Sequence, residues 1–121
     1  MEIKDIIAQG AVKKVYATNN AEQAVVEFSD TVLANGKKKS SISGKAEVNN
    51  AVSAYMFEYL ESYNVPTHFS KILDNKSFVA KRLDMIPIVI AVYNLASAEL
   101  AERFGIEEGK MLEFPIVEMY F

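Results

Sequence analysis

Few side chains in this sequence are equipped for chemistry on their own. His68 is the only histidine and there is no cysteine. A histidine-and-cysteine metal cluster, a disulfide framework and thiol chemistry are therefore all ruled out. A single imidazole can act as a general base, but His68 closes the turn Asn64-Val65-Pro66-Thr67, where a hydrogen-bonded structural role is expected. The other candidates are cations. Lys13 and Lys81 stand in β-prone stretches, where a lysine can either meet a phosphate or lie as a solvated charge at a sheet edge. Lys37-Lys38-Lys39 is the one basic run. It follows Asn35-Gly36, a strong two-residue hairpin signal, and reads as a solvated hairpin arm.

The chain around these residues is 121 long with a net charge of −3, and half of it is apolar. That is enough to bury one domain's core, and the charge argues against a nucleic-acid binder. Neither a signal peptide nor an apolar run long enough to span a bilayer is apparent, so a cytoplasmic protein with no membrane partner is expected.

The patterning places the elements. Residues 11–18, 24–28 and 38–42 read as strands, the last reached through Asn35-Gly36. Ser43 can cap a helix from Gly44 to about Tyr63. Val48, Val52, Tyr55, Met56, Tyr59, Leu60 and Tyr63 recur at helical spacing and are expected to face a sheet. Residues 69–73 and 77–83 read as a strand pair. The nearly continuous apolar run 88–93 suits a strand buried on both faces. Ser97 can cap a short helix ending at Phe104, with Gly105 as its stop. Residues 114–121 form a last apolar strand. Such a strand exposes an edge, so pairing with another chain through Ile116, Met119, Tyr120 and Phe121 is expected, most simply as a homo-oligomer.

Three stretches carry a family likeness. Residues 44–53 (GKAEVNNAVS) and 64–69 (NVPTHF) resemble the SAICAR synthetase pattern GKGxxNNxIS…GIPTHF. Residues 81–88 (KRLDMIPI) resemble its hinge KKxEMIPLE, and residues 101–109 with 114–118 resemble AKRLGIEEG…PIVE. The resemblance runs from Gly10 to Phe121 and covers the family's opening half. It implies an α+β fold, in which an antiparallel sheet packed by one long helix is followed by a short strand–helix–strand extension. Residues 1–84 would form the N-terminal lobe, and residues 85–121 a hinge, marked by Pro87, and the start of a second lobe. It also implies an ATP-type nucleotide as ligand, with Lys13 and Lys81 near phosphates and the backbone of Arg82, Asp84 and Met85 near an adenine edge.

The departures from the family fall at its chemistry. Its EGKAKKVY is Gln9-Gly10-Ala11-Val12-Lys13-Lys14-Val15-Tyr16 here, so one phosphate-facing lysine has become Ala11 while Lys13 remains. In DDATAFNG a hydroxyl position has become Val32. In EVVVRNxAAGSL a carboxylate has become Val89, an arginine Tyr93, a glycine Ala98 and a serine Glu99. The lost arginine was a planar, permanently charged fork. Glu99 favours its helix's dipole but opposes an anion there. The family's metal-binding aspartates and much of its ATP cleft lie in its other half, and phosphoryl transfer depends on such positioning and charge neutralisation. A catalytically inactive relative that binds a purine or signalling nucleotide is therefore expected. The alternatives are a regulatory protein using the scaffold to bind a partner, and one half of a split purine-biosynthesis ligase.

Overall fold

The computed structural model describes residues 1–34 and 37–121. They form two units, Met1–Leu83 and Asp84–Phe121. As expected, the architecture is α+β, with an antiparallel sheet carrying one long helix. The turn expected at Asn35-Gly36 lies outside the described residues.

The first unit is built on a five-stranded antiparallel sheet. In chain order its strands are β1 (Ile3–Gln9), β2 (Lys13–Thr18) and β3 (Gln23–Phe28), and later β6 (Phe69–Ile72) and β7 (Ser77–Lys81). Their spatial order is β1-β2-β3-β7-β6. A separate antiparallel pair, β4 (Thr31–Ala34) and β5 (Lys37–Ser41), precedes helix α1 (Lys45–Ser62). β1 and β4 go beyond the strands read from the sequence. The three isoleucines of β1 do not alternate, because its pairing with β2 slips twice, between Ile3 and Ile6 and between Ile6 and Ala8. A bulged strand does not show a period of two.

The core of this unit lies between α1 and one face of the sheet. Val26, Phe69, Phe78 and Ala80 are buried there with Ala54 of the helix, and Val15, Phe28 and Phe57 pack around them. The helix presents small residues to the sheet. Ala46, Asn50 and Ala54 are its buried positions, four apart, and Phe57 inserts among His68, Phe69 and Phe78 at ring distances of 4.9–5.9 Å. This reverses the sequence expectation. Val48, Val52, Tyr55, Met56, Tyr59, Leu60 and Tyr63 are all exposed, because small side chains let the helix axis sit close to the sheet and bulky ones would hold it off.

The N-terminus of α1 also differs from expectation. The N-cap is Gly44, left-handed at φ 83°, and no cap side chain bonds the first turn. Asp30 does so from the β3–β4 connection, its Oδ1 accepting from the Ala46 amide at 2.8 Å. Lys76 Nζ lies 3.3 Å from the other carboxylate oxygen. An anion here also complements the helix dipole. Asn64, at φ 61°, ends the helical segment as its type and position suggest.

In the second unit, β8 (Val89–Leu95) pairs antiparallel with β9 (Met111–Tyr120), and α2 (Ala98–Phe104) lies between them in sequence. Ser97 caps α2 through Leu100 N, and Gly105 at φ 64° ends it, as read from the sequence. The register Ala91↔Glu118 and Tyr93↔Ile116 puts these four on one face, all partly covered, and an ion pair from Arg103 of α2 to Glu118 ties the helix there. Ile90, Val92, Val117 and Met119 occupy the opposite face and are exposed. β8 is thus not buried on both faces as its composition suggested, since Val89, Ile90 and Val92 are exposed.

Candidate functional site

Among the described residues, the cavity with clustered cations lies at the turn from β1 to β2. Gly10 N donates to Lys13 O at 2.9 Å, closing a tight turn over Ala11 and Val12. The connection after β3 grips the turn from the side, since Ser29 N donates to Val12 O at 2.9 Å and Ser29 Oγ reaches the same carbonyl at 3.3 Å. The resulting open cavity has a volume of about 260 Å³ and is lined by Gly10, Ala11, Lys13, Lys14, Glu27 and Ser29, with Gln9, Phe28 and Thr31 completing the wall.

Two lysines and one glutamate line this space, with Lys13 on one face of β2 and Lys14, opposite Glu27, on the other. Lys13 Nζ sits 5.9 Å from the centroid of the Phe28 ring, a cation–π contact that leaves the ammonium hydrated on its other side. Lys14 lies directly across the strand pair from Glu27. Glu27 Oε2 accepts a 2.6 Å hydrogen bond from Tyr16 OH, and this bond is the main reason the phenol's pKa is raised. Small backbone, a hydroxyl and an excess of positive charge in a concave wall suit an anionic oxygen cluster of phosphate size.

The register separates the two lysines named from the sequence. Lys13 shares a face with Phe28 and, through Val15↔Val26 and Val26↔Phe78, with the helix side of the sheet. Lys81 pairs with Gln23 on the opposite face, where its Nζ donates to Thr67 O at 3.2 Å. Arg82 extends the β3–β7 pairing by donating its amide to Glu22 O at 2.8 Å. Asp84 and Met85 open the second unit and are exposed. His68 packs its ring edge-on to Phe57 at 4.9 Å. Burial first, and then the charge of Lys13, lower its pKa, so it is neutral at neutral pH and serves as packing. Lys14, Glu27 and Ser29 were missed in the sequence. The Lys13-Lys14 doublet was a visible signal, whereas Ser29 gains its place only through the strand pairing.

The second unit holds a polar chain built on Tyr93, Tyr120, Glu118 and Arg103. Tyr120 donates to the Glu118 carboxylate, leaving Tyr93 OH, 3.2 Å away, to donate to Tyr120. Arg103 Nη1 lies 2.7 Å from Glu118 Oε1 and 3.8 Å from Glu99. The Tyr120 and Arg103 bonds hold the Glu118 carboxyl below its usual range, and the bond to Glu118 holds the Tyr120 phenol far above its own. The guanidinium is thus engaged by carboxylates of its own chain. Among the described residues, no group of three or more histidine, cysteine, aspartate or glutamate side chains is placed to hold a metal ion. No described helix is long and apolar enough to cross a membrane.

Comparison with known proteins agrees with this architecture. The family model for SAICAR synthetase matches residues 6–121. The phosphoribosylaminoimidazole-succinocarboxamide synthase of Desulfitobacterium hafniense strain Y51 is 41% identical over 100% of this chain and 51% of its own length. That of Chlorobium phaeobacteroides is 41% identical over 99% and 51%. Among solved structures, the Ehrlichia chaffeensis synthase superposes with a TM-score of 0.90 at 31% identity, over 97% of this chain and 50% of its own. A SAICAR synthetase in complex with ADP superposes at 0.88 and 30% identity, over 99% and 50%. The chain spans about half the length of the curated relatives it matches. It belongs to the SAICAR synthetase family.

Proposed function

We propose that this chain binds the phosphates of a purine nucleotide at the β1–β2 turn and performs no ligation by itself. The observation that carries the reading is the cavity beneath Gly10–Val12 with Lys13 and Lys14 in its wall. Its likeness to a structure solved with ADP makes an adenine nucleotide the first ligand to try, with a signalling purine nucleotide next. Ala11, Val89, Tyr93, Ala98 and Glu99 stand where the family pattern has other chemistry, which favours binding without turnover. Calorimetric titration with ADP tests this. Binding is expected, and Lys13→Ala should weaken it ~10-fold or more, since a charge-assisted hydrogen bond contributes about 1.5–3 kcal/mol. Absence of binding for ADP, ATP and guanine nucleotides would overturn the reading, as would an unchanged affinity in Lys13→Ala.

A second reading rests on β9. Met119 is 62% exposed, while Ile116 and Tyr120 lie on the α2 side of the strand. An open edge with this apolar content favours addition of a strand from a second polypeptide, another copy or a regulated partner. The split-ligase alternative would use the same edge. A loss of assembled mass in Met119→Glu, measured by light scattering, is the expected result, and an unchanged mass would count against it.

A further inference from the structure

The ammonium of Lys13 is placed by a ring, where other placed cations of this chain are placed by oxygen. Lys76 is held by the Asp30 carboxylate at 3.3 Å, Lys81 by the Thr67 carbonyl at 3.2 Å and Arg103 by Glu118 at 2.7 Å. Among the described residues, no ion pair involves Lys13. Its Nζ lies 5.9 Å from the centroid of Phe28, within the ~6 Å reach of a cation–π contact. The two residues are direct partners across the β2–β3 pair, so their side chains leave the sheet on one face, about 5 Å apart at Cβ. Phe28 is itself fixed. Its amide donates to Lys76 O at 2.9 Å, and the next amide, Ser29 N, donates to Val12 O at 2.9 Å. Its ring lies 6.1 Å from that of Phe78, at the margin of the core beneath α1. The same residue lines the cavity.

We propose that Phe28 is a positioning residue for the anion site, its ring holding the Lys13 ammonium in the cavity wall without neutralising it. The inference rests on the phosphate-binding reading above and names what prepares its cation. A carboxylate in place of the ring would fix the ammonium but offset its charge, as Asp30 does for Lys76, and an incoming phosphate would have to displace it. A wholly solvated lysine would keep its charge but lose rotamer freedom on meeting the phosphate. The face of a ring attracts a cation through its quadrupole and carries no net charge, so it orders the side chain and leaves the charge for the ligand. Lys14 does not duplicate this role, because it stands on the other face of β2, across from Glu27. Ala11, the other turn residue of the wall, brings no charge.

Site-specific replacement of Phe28 by mono-, di- and trifluorophenylalanine tests the proposal, because fluorine weakens the negative ring face and leaves the shape nearly intact. In calorimetric titration with ADP, affinity should fall stepwise, to ~2–5-fold below wild type at the end of the series. The same series in a Lys13→Ala background should be flat, and Phe28→Tyr, which keeps a ring face, should bind as wild type does. A second readout needs no nucleotide. Reductive ¹³C-dimethylation leaves lysines charged. The Lys13 methyl signal, identified by its absence in Lys13→Arg, should lie upfield of the other lysine signals through the ring current and rejoin them in Phe28→Leu. A flat fluorine series in a chain that binds ADP would overturn the proposal and leave the phosphate reading standing. No ADP binding by the unmodified chain would overturn that reading and this proposal with it. A Lys13 methyl signal that lies among the others would overturn the proposal whether or not ADP binds.

Discussion

Replacing Asn50 by aspartate should place a pH-dependent penalty on a buried junction. Asn50 is 2% exposed and fastens α1 to the β6–β7 hairpin. Its Nδ2 donates to Asp74 O at 2.9 Å and to Ser77 O at 3.2 Å, and its Oδ1 is buried without a partner among the described residues. A carboxylate in its place would point an ionised oxygen at two carbonyl oxygens in a dry site. Burial and the lost donors both raise the folded-state pKa of the new acid above its unfolded value near 4. An acid with a raised folded pKa destabilises above its unfolded pKa, and the penalty fades as pH falls toward it. A raise of about three units would cost ~4 kcal/mol at neutral pH, or ~10–20 °C in melting temperature for a chain of this size. Below about pH 4 the protonated acid can still donate one hydrogen bond, leaving a cost of ~1 kcal/mol. Asn50→Ala separates charge from hydrogen bonding. Ser77 O keeps its backbone donors Leu73 N and Asp74 N, so this variant should lose ~1–2 kcal/mol, and equally at every pH. The assay is thermal unfolding by circular dichroism from pH 3 to 8, read as the gap from wild type at each pH. A gap of only a few degrees at pH 7, or one that does not narrow on acidification, would refute the reasoning.

Two further predictions concern the same helix. Asp30 has a lowered pKa, chiefly through the Ala46 amide and then Lys76, so its contribution is present above its ordinary pKa and lost as pH falls below about 4. The acid-side fall in melting temperature should therefore be shallower in Asp30→Asn than in wild type, and equal slopes would remove Asp30 as the helix cap. Ala54→Leu should overpack the 2% exposed contact between α1 and the sheet, costing ~1–3 kcal/mol in urea unfolding. A neutral result would mean that the small-residue face is not the packed one.

The elements themselves were largely legible in the sequence. The long helix, the hairpin of β6 and β7, and the Ser97 and Gly105 ends of α2 all follow from local signals, and the family pattern supplied the fold class. What stayed hidden depended on distant partners. α1 carries two apolar faces, and hydrophobic size pointed to Val48–Tyr59, while close packing on a sheet selected Ala46, Asn50 and Ala54. Ser43 looked like the cap, yet with Gly44 left-handed the role falls to Asp30, which reaches Ala46 across the fold. The apolar run of β8 revealed strand but not coverage, because no periodicity reports how many layers will pack on a sheet. At the candidate site, Lys13 was legible and Ser29 was not, for the same reason.

The central claim is that the β1–β2 turn holds nucleotide phosphates, and amide NMR tests it most directly. On titration of ¹⁵N-labelled protein with ADP, the account predicts saturable shifts at Gly10–Lys14 and Ser29–Thr31, displaced to ~10-fold higher ADP or beyond in Lys13→Ala. Shifts confined to other residues, or none at millimolar ADP, would contradict it.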